Sequence, residues 1–186
     1  MNNVSSLMGP IERRLRRLIG DERGVSAVEF ALLLPLMLTL YFGAVEVSQG
    51  IGADRKVTLT ARTIADLVSQ VSSIGNSDMT NALNASSAVM APFPVANLQV
   101  TVTSVKIDAA GKATVDWSDT LNGTARVVGA TVTLPTALNV ANTSLIWSET
   151  QYTYRPVIGY VVSGTLTLHD QIYMRPRLSA SVARVP

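Results

Sequence analysis

Cysteine is absent from this chain of 186 residues, and histidine occurs once, as His169. Without cysteine there is no disulfide framework and no thiolate ligand for a metal ion. A single histidine leaves no set of imidazole ligands, so we expect His169 to have a structural or surface role. The chain also lacks the G-x-S-x-G pattern of serine hydrolases and the G-x-x-x-x-G-K-[ST] pattern of phosphate-binding loops. We therefore expect no enzyme activity, no metal site and no cofactor.

Charged residues are also scarce, since Asp, Glu, Lys and Arg make up 15% of the chain, against roughly 25% in an average soluble domain. The first part of the chain, residues 1–24, holds five arginines and three acidic residues, and the remainder is electrically neutral. A nucleic-acid-binding domain needs a basic surface. The excess positive charge belongs to the N-terminal tail instead, so we expect no nucleic acid partner.

The arginine-rich tail precedes a long apolar run. Residues 11–20, I-E-R-R-L-R-R-L-I-G, fit either a basic amphipathic helix on an anionic membrane surface or a solvated leader that orients the next segment. Lys and Arg beside an apolar span prefer the cytoplasmic side of the membrane. In both cases we expect a cytoplasmic N-terminus and a C-terminal domain on the opposite side.

The apolar run, residues 25–47, has a glutamate near each end, Glu29 and Glu46. A helix over these residues is about 35 Å long, enough to cross a hydrocarbon core of about 30 Å. A secretory signal peptide would have a shorter apolar region and a small-residue cleavage site, and residues 43–46, G-A-V-E, form a poor site. The sequence therefore predicts a single transmembrane helix over residues 25–47, with both glutamates near the membrane interfaces.

The next segment, residues 48–75, has the period of an amphipathic helix. Its apolar side chains recur at steps of three and four, at Val57, Ala61, Ile64, Val68 and Val71. The stripe is short for a coiled coil, so we expect it to cover a sheet of its own domain. Off the stripe, Arg62 and Asp66 have the spacing of an ion pair on one helix.

Joined together, these two segments predict one nearly continuous helix from about Ser26 to Ile74. We expect it to be weakest between Gly43 and Gly52, because each glycine costs about 1 kcal/mol relative to alanine in a helix.

The last segment, residues 76–186, predicts a domain rich in antiparallel β-structure. After a short helix at 79–90, strands are predicted at 97–107, 113–117, 143–154 and 171–175, with 159–169 ambiguous. The alternation of apolar side chains slips near Ser104, which indicates a β-bulge, and Gly111 marks a hairpin loop. We expect the tyrosines of the last two strands, Tyr152, Tyr154 and Tyr173, to pack rather than form an interaction surface. The fold class is α+β, a long N-terminal helix packed on a small antiparallel sheet.

The junction between the tail and the apolar run carries a pattern of its own. Gly24 ends the basic tail, and counting from Val25, Glu29 is the fifth residue and Phe30 the sixth. This pattern resembles the processing site of type IV prepilins, and the Glu-aromatic pair is similar to the tight-adherence, or Flp, branch of that superfamily. Three stretches are similar to its TadE-like pseudopilins: G-x-S-A-V-E-F-A-L-x-L-P from residue 24, A-D-L-V-S-Q from residue 65 and Y-M-R-P-R from residue 173.

The resemblance implies a pilin-like fold and a minor pilin or pseudopilin that takes part in assembling a tight-adherence pilus in a bacterial envelope. It implies that a prepilin peptidase cleaves after Gly24, removes the leader and exposes the α-amine of Val25. The partners that it implies are the inner membrane, the peptidase, other pilin or pseudopilin subunits and the Tad assembly machinery. TadE and TadF types stay open, whereas the modest length argues against the larger TadG type.

The carboxylate of Glu29 has two explanations. A charge in hydrocarbon costs on the order of 3 kcal/mol, so it usually marks a functional contact. Glu29 either extends to the lipid headgroups or pairs with the Val25 amine of a neighbouring subunit, and the motif favours pairing, with Phe30 in the same subunit-pairing site. The alternative for the whole chain is an unprocessed single-span anchor that displays a periplasmic or surface binding domain. A membrane-anchored enzyme is the weakest alternative, because no acid, base or metal set can be named.

Overall fold

The computed structural model describes residues 22–156, 159 and 164–186. The predictions made for the arginine-rich tail therefore lie almost entirely outside the described residues. By its internal contacts the chain divides into two units, residues 1–45 and residues 46–186.

Helix α1 extends from Glu22 to Ser69 and continues through Pro35. This confirms the long helix predicted from the sequence, but the helix ends before Ile74. The backbone N–H of Arg177 donates to the carbonyl of Ser69 at 2.9 Å, and strand β1 (Ser73–Ile74) follows almost at once. The amphipathic segment predicted at residues 48–75 is therefore helical only to Ser69. The lower helix stability predicted between Gly43 and Gly52 concerns the dynamics of α1 and stays a prediction.

In the first unit, α1 exposes apolar side chains all around its axis. The exposed large side chains between residues 25 and 41 are Val25, Val28, Phe30, Leu32, Leu33, Leu34, Leu36, Met37, Leu38, Leu40 and Tyr41. A helix that is apolar on every face belongs in a protein core or in a membrane. Among the described residues, α1 is the one helix long and apolar enough to cross a membrane, and its apolar window is not buried. It indicates a single-pass membrane anchor.

The second unit contains a four-stranded antiparallel sheet in the order β3-β2-β4-β5. Its elements in chain order are helix α2 (Asn76–Met90), β2 (Leu98–Ile107), β3 (Ala113–Leu121), β4 (Thr143–Tyr154) and β5 (Leu166–Met174). A last short strand, β6 (Ala183–Arg184), pairs in parallel with β1.

The apolar stripe of α1 forms one side of the core of this unit. Val57, Ile64 and Val68 are fully buried and belong to one cluster with sheet residues such as Val102 and Tyr152. Helix α2 adds Met79, Leu83 and Met90 to the same cluster. The prediction that the stripe covers a sheet of its own domain is confirmed, and so is the α+β fold class.

The strands agree closely with the prediction where local signals are strong. The register of β2 against β3 shifts between Ser104 and Val105, so the bulge is confirmed. In the hairpin loop, Asp108 Oδ1 accepts from the N–H groups of Ala110 and Lys112, and Gly111 has φ +80°. Strand β4 has the predicted bounds.

Other boundaries differ from the prediction. Strand β3 continues past residue 117 to Leu121, with the hydroxyls of Thr103 and Ser118 3.0 Å apart across the pair. Strand β5 begins at Leu166 rather than at residue 171, because it pairs with β4 as far as Tyr154.

Candidate functional site

The residues predicted for processing and pairing lie close together near the N-terminal end of α1. Gly24 has no atom within 4 Å of the position where a Cβ would be placed. Val25 and Phe30 are each 59% exposed, and Glu29 is also exposed. No ion pair of Glu29 occurs among the described residues. All four predicted residues are accessible, and their roles stay predictions.

The helix period places Val25 and Glu29 on the same face, since they are four residues apart. From Val25 to Val45 this face carries one carboxylate, that of Glu29, within a largely apolar surface. A neighbouring helix that covered it would remove Glu29 from water, and a buried carboxylate needs a cationic partner.

The second glutamate of the apolar run lies in a different environment. Glu46 belongs to the globular unit and is only 3% exposed, and its predicted position near a membrane interface stays a prediction. It lines a cavity of about 300 Å³, whose walls also include Gly50 and Ile51 of α1 and Tyr154, Leu166 and Leu168 of the sheet. The two glutamates are therefore not equivalent, although their positions in the sequence look symmetrical.

Tyr154 is one of the lining residues of this cavity, and its hydroxyl is buried. Its side chain is 3% exposed, and its hydroxyl has no hydrogen-bond partner among the described residues. Burial raises the pKa of Tyr154, and the negative charge of Glu46 raises it further. This cavity could not be predicted from the sequence, because Leu166 and Leu168 fall in the segment 159–169, for which no secondary structure could be assigned.

Two of the stretches that suggested the family resemblance meet in the structure. Arg177, from Y-M-R-P-R, pairs with the carboxylate of Asp66, from A-D-L-V-S-Q. The ion pair predicted between Arg62 and Asp66 is wrong, because the folded sheet brings Arg177 to that carboxylate instead. Arg184, later in the C-terminal segment, holds that segment to two other elements. Its guanidinium pairs with Asp119 of β3 at 2.9 Å and donates to the side-chain oxygen of Asn76 in α2 at 2.6 Å.

The tyrosines pack, as the sequence predicted. The rings of Tyr152 and Tyr154 both meet Phe93 edge to face, with centroids 6.2 and 6.1 Å apart. On the opposite side of the sheet, Tyr173 stacks on Trp147 with centroids 5.3 Å apart. These rings stabilise the sheet rather than form an open aromatic surface.

His169 is exposed on β5, paired across the sheet with Gln151. No group of three or more His, Asp or Glu side chains that could hold a metal ion occurs among the described residues.

Comparison with known proteins concerns the N-terminal part of α1, which contains Gly24 and Glu29. The family model of TadE-like proteins matches residues 24–66. No curated protein and no solved structure matches the chain. The matched segment begins at Gly24, includes Glu29 and the apolar helix, and extends into the buried stripe. Residues 24–66 are similar to TadE-like proteins, and the resemblance predicted from the sequence is confirmed over this segment.

Proposed function

We propose that this protein is a minor pilin or pseudopilin that takes part in the assembly of a tight-adherence pilus. The observation that carries the proposal is the TadE-like match over residues 24–66, because the matched residues include an exposed apolar helix with Glu29 near its start. A protein of this system has a pilus and a membrane as its natural partners. In this proposal the apolar half of α1 anchors the chain in the bacterial inner membrane, and the globular unit lies in the periplasm.

Processing is the first step of the proposed mechanism. A prepilin peptidase on the cytoplasmic side cleaves the bond between Gly24 and Val25 and removes the arginine-rich leader. The position is accessible, because nothing lies within 4 Å of a Cβ placed at Gly24. Cleavage converts the Val25 amide into an α-amine, which is a cation at neutral pH.

Pairing is the second step. The Val25 amine of one subunit binds the Glu29 carboxylate of its neighbour when the apolar helices pack together. Because packing excludes water and lipid, removing one member of such a pair costs roughly 3 to 5 kcal/mol. Phe30 lies beside the pair and supplies apolar contact area. The same charge pair sets the register between neighbouring helices, since no other carboxylate occurs between Glu29 and Glu46.

The N-terminal residue of the protein isolated from bacterial envelopes tests this proposal. Intact mass is expected to show a chain that begins at Val25, and Gly24→Leu is expected to keep the leader. Because position 24 has open space around it, a loss of cleavage in this variant is not a folding defect. Recovery of residues 1–24 on assembled wild-type protein would contradict the proposal and favour an unprocessed anchor that displays a binding domain.

A further inference from the structure

Two exposed valines are neighbours on a turn at one edge of the sheet. Val127 is 75% exposed and Val128 is 66% exposed. The carbonyl of Val127 accepts from the N–H of Ala130 at 3.1 Å, and Gly129 has φ +81°, so the valines occupy the first two positions of a β-turn. A single exposed apolar side chain is normal on a protein surface, but here two adjacent ones project from the same turn.

The turn is bonded to the sheet on both sides. Arg126, the residue before it, pairs with Glu149, and its guanidinium lies 3.8 Å from the centre of the Trp147 ring. After the valines, the N–H of Gly129 donates to the carbonyl of Val115 in β3 at 2.8 Å. The two valines are therefore presented on a fixed backbone, and a surface that is ordered before it binds loses less conformational entropy on binding.

The opposite edge of the sheet carries an apolar groove. It is the cavity of about 300 Å³ described above, and its surface is mostly apolar. Its walls include Ile51 of α1 and Leu166 of β5, which are 51% and 41% exposed, so the groove is open to solvent. Contiguous exposed apolar surface is typical of a site that another molecule covers.

The turn and the groove lie too far apart to meet within one chain. The turn is bonded to β3, the groove is lined by β5, and two strands lie between them. Neighbouring strands are about 4.8 Å apart, so three spacings separate the two edges by about 14 Å. The turn of one copy can therefore enter only the groove of another copy.

The groove has room for the side chains of the turn. At about 30 Å³ for each water-sized group, a volume of about 300 Å³ holds about ten non-hydrogen atoms. The side chains of Val127 and Val128 together contain fewer atoms than that, so both fit. Removal of apolar surface from water favours this contact without any pairing of charges.

We propose that the turn with Val127 and Val128 of one copy docks in the groove beside Leu166 of a second copy. Because the turn and the groove lie at opposite edges, the contact is heterologous, and each copy uses its turn on one neighbour and its groove on another. Contacts of this type repeat along a row of subunits. The proposal goes beyond the function proposed above, and it depends neither on cleavage after Gly24 nor on pairing at Glu29.

The chain has no cysteine, so single cysteines can be introduced at chosen positions without a background reaction. Full-length Val128→Cys and Leu166→Cys are purified separately in detergent, mixed and treated with a short bismaleimide, and mass spectrometry identifies the cross-linked pairs. We expect the mixed product to exceed the product of Val140→Cys with Leu166→Cys by about tenfold. Val140 is the matched control, because it is another valine of the loop between β3 and β4 and is 42% exposed.

Sedimentation in detergent measures the same contact without cross-linking. Val128→Ser is expected to weaken self-association about tenfold, because it removes the burial of one valine side chain, and Val140→Ser should leave it unchanged. On the groove side, a Cβ at Gly50 lies 3.7 Å from the Tyr154 ring, whereas a Cβ at Gly52 has nothing within 4 Å. Gly50→Leu should therefore weaken self-association as Val128→Ser does, and Gly52→Leu should not.

A control product as abundant as the mixed product overturns the proposal. Cross-linking of Val128→Cys to itself as strongly as to Leu166→Cys also overturns it, because the turns then meet each other. Self-association that is unchanged in both Val128→Ser and Gly50→Leu overturns it as well, because the association then runs through another surface. Tryptophan fluorescence verifies that each variant is folded. None of these results changes the N-terminal residue of the isolated protein, so the docking contact and the proposed function fail separately.

Discussion

Arg177 donates to the carboxylate of Asp66, although the two residues are 111 positions apart in the chain. Beside this contact, the backbone N–H of Arg177 donates to the carbonyl of Ser69 at 2.9 Å. A helix leaves its last carbonyls without partners, so the C-terminal segment satisfies one of them and places a cation near the negative end of the helix. The end of α1 is therefore bound by residues that follow the last strand of the sheet.

The strength of the pair between Asp66 and Arg177 can be measured by a double-mutant cycle. The side chain of Arg177 is 55% exposed and that of Asp66 is 35% exposed, so we expect a coupling energy of about 0.2 to 1 kcal/mol. Urea unfolding of Asp66→Asn, Arg177→Gln and the double variant gives this value. Arg62→Gln is the control, and a coupling between Arg62 and Asp66 as large as that of Arg177 would contradict the structure.

The buried stripe of α1 is expected to dominate the stability of the globular unit. Ile64 is fully buried, so Ile64→Ala should lower the free energy of unfolding by about 2 to 5 kcal/mol, through lost burial and the cavity left behind. Leu59 lies on the same helix but is 50% exposed, and Leu59→Ala should change stability by less than about 0.5 kcal/mol. Trp117 and Trp147 are buried in this unit, so tryptophan fluorescence during urea unfolding measures both. Equal losses in the two variants would contradict the assignment of the stripe to the core.

Stability is expected to fall at alkaline pH. Burial raises the pKa of both Tyr152 and Tyr154 above the ordinary value of 10.0. As the pH rises, the unfolded chain loses these phenol protons before the folded chain does. The contribution of the two protonated tyrosines to the free energy of unfolding is therefore fully present below pH 10.0 and is lost as the pH rises through the folded-state pKa. Unfolding in urea, followed by tryptophan fluorescence across this range, should show the decline.

The variant Tyr154→Phe tests both the cost of burying the Tyr154 hydroxyl and its share in the loss of stability at alkaline pH. At neutral pH in lipid-free detergent it should be as stable as the wild type or up to about 1 kcal/mol more stable, since it removes a buried group without a hydrogen-bond partner. Its stability should also decline less steeply above pH 10.0, because one titrating group is gone. A large loss of stability at neutral pH would show that the hydroxyl has a partner in the protein.

Glu29→Gln tests the proposed pairing. If Glu29 binds the Val25 amine of a neighbour, the variant should insert in the membrane, be cleaved and fold, yet fail to co-purify with the pilus machinery. If the carboxylate only reaches the headgroups, the change should be nearly silent. Co-purification with other pilus subunits distinguishes the two outcomes.

The control for Glu29→Gln has to come from the same exposed segment of α1. Glu46 is unsuitable because it is buried in the globular unit. Ala31 is exposed two positions from Glu29, and Ala31→Gln introduces the same amide while it keeps the carboxylate. Assembly should be normal in Ala31→Gln, and an equal defect in both variants would remove the argument for pairing.

Much of the fold was predictable from the sequence because it depends on local periodicity. The stripe from Val57 to Val68 repeats every three or four residues, so only one face of a helix can hold it. Strand β2 alternates with a period of two, and the slip near Ser104 marks the place where its alternation fails. The pattern around Gly24 and Glu29 was equally visible, because it is a short run of neighbouring residues.

The tertiary structure alone decided which distant residues meet. The spacing of Arg62 and Asp66 favoured a local ion pair, but the sheet delivers Arg177 to the same carboxylate. Glu46 looks like a counterpart of Glu29 in the sequence, yet it is buried in the globular unit, where it lines a cavity together with Tyr154 and Leu168. Periodicity describes the face of one element, whereas a contact depends on which second element covers that face, and that is set by the packing of the whole core.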